Sequence, residues 1–136
     1  MMTGRCYCGA VSLTTTVRPQ SVAYCHCIDC RRVTGAPVAA FAAFPEGSVS
    51  LTTDHVARFS APGIERQFCA VCGSAMTARF GYIPGQIYLP VGVLDDAESL
   101  EPAVHAHADA ALPWLCIHDD LPRERGSARE TLKAAP

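Results

Sequence analysis

Apolar residues alternate with small or polar residues in several short runs along the 136-residue chain. Each run has the length of one β-strand, and proline or glycine separates most of them, as is typical of strands joined by turns. Helix signals are weak and are confined to two short stretches, 29–34 and 94–100. The pattern predicts a mainly β domain with strands at Ala10–Thr16, Val38–Phe44, Val49–Thr53, Ser74–Phe80 and Gln86–Leu94.

The apolar pattern stops near Pro122, and residues 122–136 are small, polar or charged. We predict one compact domain over residues 1–121, followed by a solvated tail at 122–136 that takes no part in the site. A chain of this length can bury one hydrophobic core, to which bound metal can add stability.

Charge and composition narrow the choice of partners. Charged residues make up 18% of the chain and the formal net charge is −2, which argues against binding to nucleic acid or to an anionic membrane surface. The N-terminus lacks the apolar run of a secretory signal, so we expect a cytoplasmic protein. Thiols are kept reduced there, and eight cysteines therefore indicate metal or thiol chemistry more than disulfides.

Seven of the eight cysteines fall into three clusters, and two of these clusters complement each other. The pairs Cys6/Cys8 and Cys69/Cys72 are each followed by a glycine, which can take a positive φ and turn backbone N–H groups toward thiolates. Four thiolates from two loops are the usual ligands of a closed structural zinc. We predict a structural Zn²⁺ on these four side chains, called here the four-cysteine set.

The third cluster, "CHCIDC", supplies the thiols of Cys25, Cys27 and Cys30, called here the three-cysteine set. Three protein ligands with one open position are the pattern of a catalytic zinc, so we predict a second, catalytic Zn²⁺ here. The alternatives are an iron–sulfur cluster, a second structural zinc completed by a histidine, and a redox dithiol.

Several other polar residues are candidates for lesser roles. Arg31 and Arg32 directly follow the three-cysteine set and can offset its negative charge or clamp a substrate carboxylate. His26 is a candidate contact for substrate. The plainer expectations are that His105 and His107 share the exposed face of a strand, that Cys116 is a small buried residue, and that Asp119 and Asp120 are loop acids.

Together these motifs resemble the glutathione-dependent formaldehyde-activating family, also called the centromere-protein-V-like family. The combination of CxCG, CHCxxCR and CxxCG in this order is specific, whereas each motif alone is weak. The matching segments cover nearly the whole chain before the tail: "GRCYCGAV" (4–11), "CHCIDCRRVTGAP" (25–37), "FCAVCGSAM" (68–76) and "LPWLCIHDDLPR" (112–123).

The resemblance implies a β-rich, Mss4-like fold of several small antiparallel sheets around zinc sites. It also implies condensation of formaldehyde with glutathione to S-hydroxymethylglutathione, formally a carbon–sulfur lyase reaction run in reverse. The expected partner is then a small thiol such as glutathione, while the oligomeric state stays open. Two alternatives remain: a zinc-stabilised binding module without catalysis, and a thiol-dependent reductase that would have to use Cys116.

Overall fold

A computed structural model of the chain describes residues 1–128, which form ten β-strands and one α-helix. The helix, α1, covers Ile28–Thr34. The strands are β1 (Met2–Arg5), β2 (Ser12–Thr15), β3 (Ser21–Cys25), β4 (Ala39–Pro45), β5 (Val49–Leu51), β6 (Val56–Ala61), β7 (Ile64–Cys69), β8 (Ala75–Phe80), β9 (Gln86–Pro90) and β10 (Val104–Ala106).

The strands form two sheets, and the predicted mainly β class is confirmed. A three-stranded antiparallel sheet has the order β1-β2-β5, and a seven-stranded sheet has the order β10-β3-β4-β9-β8-β7-β6. Neighbours in the larger sheet are antiparallel except β10, which pairs in parallel with β3. Within residues 1–128, no helix has the length and apolarity that a membrane span needs.

The larger sheet is buried on both faces at its centre, which divides the interior into two cores. In β4, Ala42 and Phe44 pack into the first core, and Phe41 and Ala43 pack into the second. This division follows from the two-residue period of a strand, which sends successive side chains to opposite faces. The four-cysteine set belongs to the first core through Cys6, Cys69 and Cys72, and the three-cysteine set belongs to the second.

The alternating pattern found β2, β4, β5, β8 and β9 but not β1, β3 or the hairpin of β6 and β7. Most of the β6 side chains are exposed and those of β7 are half-buried, so neither strand has a clear apolar period. The hairpin turn is Pro62-Gly63, and Gly63 has a φ of 80°. A Pro-Gly pair is a strong turn signal, and it could have located this hairpin from sequence.

Two predicted segments end differently in the structure. The strand predicted to run to Leu94 stops at Pro90, where the 3-10 turn Val91–Val93 begins. The helix predicted near 94–100 is a single 3-10 turn, Ala97–Ser99. Proline has no N–H to continue the strand ladder, which accounts for the first difference.

The chain after residue 121 returns to the edge of the larger sheet. His105 N–H donates to the Pro122 carbonyl at 2.9 Å, and Glu124 N–H donates to the His105 carbonyl at 2.9 Å. Ala128 is buried in the second core. The predicted domain boundary at residue 122 stays a prediction, and residues 129–136 of the predicted tail lie outside the described residues.

Candidate functional site

The four-cysteine set brings together two loops that are far apart in sequence. Its four sulfur atoms all lie within 4.8 Å of one another. The Cys8 sulfur is 3.7 Å from that of Cys6 and 3.8 Å from that of Cys69. A tetrahedral zinc with Zn–S bonds of about 2.3 Å separates its sulfur ligands by about 3.8 Å. The spacing of these thiols therefore fits one tetrahedral zinc ion.

The backbone around this set is shaped to face thiolates. Gly9 and Gly73 have φ values of 84° and 81°, the left-handed conformation that the sequence predicts for them. Val11 N–H donates to the Cys6 sulfur at 3.2 Å, and Cys72 N–H donates to the Cys69 sulfur at 3.5 Å. Such N–H groups stabilise negative charge on sulfur.

The three-cysteine set lies at the junction of β3 and α1. Cys25 ends β3, Cys27 is the N-cap of α1, and Cys30 lies buried in the first turn of the helix. The Cys27 sulfur accepts a hydrogen bond from Cys30 N–H at 3.3 Å. The three sulfurs lie within 4.8 Å of one another, so three thiols from six consecutive positions are close enough to bind one metal ion.

The three thiols also change one another's pKa values. The S–H group of Cys30, followed by the N–H and S–H groups of Cys27, lowers the pKa of Cys25 to about 6 against the opposing effect of burial. The pKa values of Cys27 and Cys30 are raised, in Cys30 first by its hydrogen bond to Cys25 and then by burial. Without metal, one thiolate is therefore held at neutral pH by two neutral thiols, and a bound cation would favour deprotonation of all three.

A cavity of about 510 Å³ adjoins the three-cysteine set. Its walls come from β3, α1, β4, the β6–β7 hairpin, β8, β9 and the end of β10, so residues far apart in sequence meet around it. All three cysteines line it, and none of the four-cysteine set does. Its lining also includes Asp29, Phe41, Ile64, Arg66, Phe80, Tyr82, Tyr88 and His107. The three-cysteine set thus faces a space large enough for a small molecule.

The predicted arginine contacts lie on α1 but outside this lining. Arg32 is exposed, and Arg31 is half-buried with an Nε atom that has no hydrogen-bond partner within residues 1–128. Arg66, which the sequence pattern did not single out, lines the cavity instead. The assignment of Arg31 and Arg32 to substrate binding stays a prediction.

His26 belongs to a buried chain of hydrogen bonds behind the three-cysteine set. His26 Nε2 is 2.8 Å from His105 Nδ1, and His105 Nε2 is 2.9 Å from a carboxylate oxygen of Asp119. Because that carboxylate can only accept, His105 donates to it from Nε2, and in a neutral His105 the Nδ1 atom accepts the Nε2 proton of His26. His26 is 4% exposed and does not line the cavity, so its role as a substrate contact also stays a prediction.

Asp119 anchors this chain from the C-terminal segment. It bonds Arg123 and accepts from Leu121 N–H at 3.0 Å. The hydrogen bond from His105, then the one from Leu121 N–H and the contact with Arg123, lowers the pKa of Asp119 to about 2. The aspartate that the sequence suggested as a plain loop acid is therefore the ionised, solvent-accessible end of a network whose two histidines are buried.

The two histidines expected to share one strand face are separated in the structure. His105 is 2% exposed and stacks on Tyr24 with a ring distance of 4.7 Å. His107 follows the end of β10 in a left-handed conformation, with a φ of 52°, so the strand alternation stops before it. His107 lines the cavity, and Cys116, expected to be buried, is exposed.

Comparison with known proteins gives the following matches. A family model described as glutathione-dependent formaldehyde-activating enzyme matches residues 1–110. A protein of Schizosaccharomyces pombe described as an uncharacterized lyase is 32% identical to the chain over 84 residues. That alignment covers 61% of this chain and 59% of the relative, so the chain spans less than two thirds of the relative's length.

The fold has a counterpart among solved structures. The crystal structure of a Rhodobacter sphaeroides protein, solved as a structural genomics target, matches with a TM-score of 0.57 at 18% identity. The match covers 90% of this chain and 100% of that chain. At this identity, the likeness concerns the fold alone.

Proposed function

The chain belongs to the glutathione-dependent formaldehyde-activating family, and from this premise we propose that it is a zinc-dependent carbon–sulfur lyase. Its proposed substrates are a small thiol, such as glutathione, and formaldehyde or another small aldehyde. In the forward direction, the thiol sulfur forms a bond to the carbonyl carbon, and the thiol proton is transferred to the carbonyl oxygen. The reverse reaction breaks the same carbon–sulfur bond.

One observation carries this proposal. The set with three thiols opens onto the cavity, and the set with four does not line it. Closed four-thiolate sites are chemically quiet, whereas a zinc with three protein ligands has a position left for a substrate. Zinc bound by Cys25, Cys27 and Cys30 would favour the thiolate form of an incoming thiol, which is the nucleophilic form.

The residues of the chain supply orientation and hydrogen bonding. Cys27 caps α1 and positions the first helical turn, so the three sulfurs are held without distant contacts. Tyr82 lines the cavity and is 47% exposed; partial desolvation of its hydroxyl, followed by the negative charge of nearby cysteine thiolates, raises its pKa to about 12. Its hydroxyl therefore keeps its proton at neutral pH and can donate a hydrogen bond to a substrate oxygen in the cavity. Holding both reactants in one cavity favours the addition by proximity.

Unpaired cysteines persist in a reducing compartment, and this bears on where the protein works. All eight cysteines are unpaired, and we propose a cytoplasmic location on that ground. The reductase alternative needs a reactive cysteine outside the two metal sets, and Cys116 does not line the cavity. A binding module without catalysis is the alternative that an activity assay has to exclude.

Two measurements test the proposal. Native mass spectrometry of the purified chain should find two zinc ions per chain, and glutathione should bind to or displace one of them. Proton NMR with ¹³C-formaldehyde and glutathione should show faster formation of the hydroxymethyl adduct than in buffer. Cys27→Ser should abolish this acceleration, and Cys116→Ser should preserve it. Two inert zinc ions and no acceleration would favour the binding module.

A further inference from the structure

The walls of the cavity are mainly apolar, and aromatic rings form one side of them. Phe80 contacts Tyr88 edge-on at a ring distance of 5.3 Å and lies 5.8 Å from the ring of Tyr82. Ile64 and Phe41 add aliphatic and aromatic surface. The Tyr88 hydroxyl donates its hydrogen bond to the Gln86 side chain at 2.7 Å. What Tyr88 presents to the cavity is therefore the apolar surface of its ring.

The space is far larger than formaldehyde requires. Cavities of about 300 to 1,000 Å³ hold drug-sized ligands and are lined mostly by apolar groups with a few polar anchors. If a thiol sulfur sits beside the three-cysteine set, the remainder of that thiol occupies the 510 Å³ cavity. The walls of the cavity therefore select the thiol by its carbon skeleton.

The described lining of the cavity carries one permanent positive charge, and His107 adds a second only when it is protonated. Arg66 is the single arginine or lysine that lines it among residues 1–128, and its guanidinium lies 5.5 Å from the centre of the Phe80 ring. Arg79, on the adjacent strand, is engaged by Glu46 at 2.8 Å and Glu65 at 3.0 Å. Asp29 is the acidic side chain of the lining and, as a carboxylate, cannot form an ion pair with a second carboxylate of a ligand.

We propose that this cavity binds a thiol with one carboxylate and one apolar group of aromatic size, in preference to the dicarboxylate glutathione. The apolar group packs among Phe80, Tyr82 and Tyr88, and the carboxylate pairs with Arg66. The inference rests on the proposed function, because it takes the three-cysteine set as the place where the substrate sulfur lies. It goes beyond that function by naming the kind of thiol.

A matched series of thiols tests each part of the proposal. Isothermal titration of the protein purified with its metal would compare 2-sulfanyl-3-phenylpropanoate with 2-sulfanylacetate, which lacks the ring, and with 2-sulfanyl-3-phenylpropanamide, which lacks the charge. Loss of a buried phenyl group should weaken binding about 10- to 100-fold. Loss of the carboxylate should weaken it about tenfold. Glutathione should bind more weakly than the phenyl thiol, and native mass spectrometry should confirm that the metal is retained.

Variants of two arginines locate the anionic contact. Arg66→Gln should remove the difference between the carboxylate and the amide and leave the contribution of the ring in place. Arg58→Gln is the matched control, because Arg58 lies on the neighbouring strand β6 and does not line this cavity. Circular dichroism would show that both variants are folded. This cycle separates an ion pair from a general loss of structure.

The outcomes distinguish this inference from the proposed function. The inference is supported if the phenyl thiol binds more tightly than the ringless thiol in the wild type and in Arg66→Gln, and if Arg66→Gln alone removes the difference between the carboxylate and the amide, even if no aldehyde adduct is formed. Equal or tighter binding of glutathione overturns it, even if turnover with formaldehyde supports the lyase. Equal affinity for the ring-containing and ringless thiols also overturns it, because the apolar walls would then contribute nothing.

Discussion

The two cysteine sets should differ in what they contribute to stability, and one pair of substitutions tests this. Cys69→Ser removes a ligand of the four-cysteine set, which joins the loop after β1 to the loop after β7. Cys27→Ser removes a ligand of the three-cysteine set, and serine preserves the N-cap of α1 because its hydroxyl can accept from Cys30 N–H. Each substitution should release one zinc ion.

The expected difference follows from the length of chain that each metal closes. Cys8 and Cys69 are 61 positions apart, and a cross-link across a loop of that length stabilises a fold by about 4 kcal/mol. The three-cysteine set closes a few residues, for which the same relation gives about 2 kcal/mol at most. Cys69→Ser should therefore destabilise the protein by about 2 kcal/mol more, or about 8 °C in Tm.

Thermal unfolding followed by circular dichroism measures this difference, with native mass spectrometry to count the zinc ions of each variant. Cys116→Ser is the control, since Cys116 is exposed and belongs to neither set. A chelator that removes both zinc ions from the wild type should lower the Tm by at least the larger of the two losses. Equal losses of Tm in Cys69→Ser and Cys27→Ser, each with one zinc ion released, would refute the division into a structural and a catalytic site.

Three further predictions concern the charges and the core. In metal-free protein, the rate of alkylation of Cys25 by iodoacetamide should rise as the pH passes through about 6 and level off above 7. The reason is that the lowered pKa of Cys25 lets the reactive thiolate form at a lower pH than in an ordinary thiol. Peptide mass mapping with Cys116 as internal reference measures this, and a rate still rising steeply at pH 8.5 would contradict it. The lowered pKa of Asp119, about 2, stabilises the fold above its unfolded pKa of about 3.9, and this contribution is lost as the pH falls toward 2. The urea midpoint of Asp119→Asn should therefore fall less between pH 5 and pH 2.5 than that of the wild type. An equal fall in both proteins would show that ionised Asp119 does not stabilise the fold. Leu89→Ala empties a site that is 0% exposed and should cost about 3 kcal/mol in urea unfolding, against little change for Val71→Ala at a 61% exposed position.

The two cysteine sets were predictable because each cysteine cluster is local in sequence. One strand end and one helical turn bring together Cys25, Cys27 and Cys30. The backbone geometry of such a short segment depends mainly on its own sequence. The pairing of Cys6/Cys8 with Cys69/Cys72 followed from ligand number, since neither pair closes a zinc site alone. The distances between these sulfurs confirm that the two pairs meet.

The buried network was not predictable from the same reasoning. Asp119 and His26 are separated by most of the chain, and they meet through His105 because β10 pairs in parallel with β3. Nothing in the residues around Asp119 distinguishes it from an ordinary loop acid. Its low pKa is a property of its partners and not of its neighbours in sequence.

The sequence by itself determined the mainly β class, the two cysteine sets that could hold metal ions and the family, because these depend on short spacings and alternation along one segment. Only the tertiary structure decided which set faces a cavity and which residues line it. Arg66, Tyr82 and His107 reach that cavity from β7, the loop after β8 and the end of β10. Their meeting depends on the order of strands in the larger sheet, which long-range hydrogen bonding and burial on both faces establish.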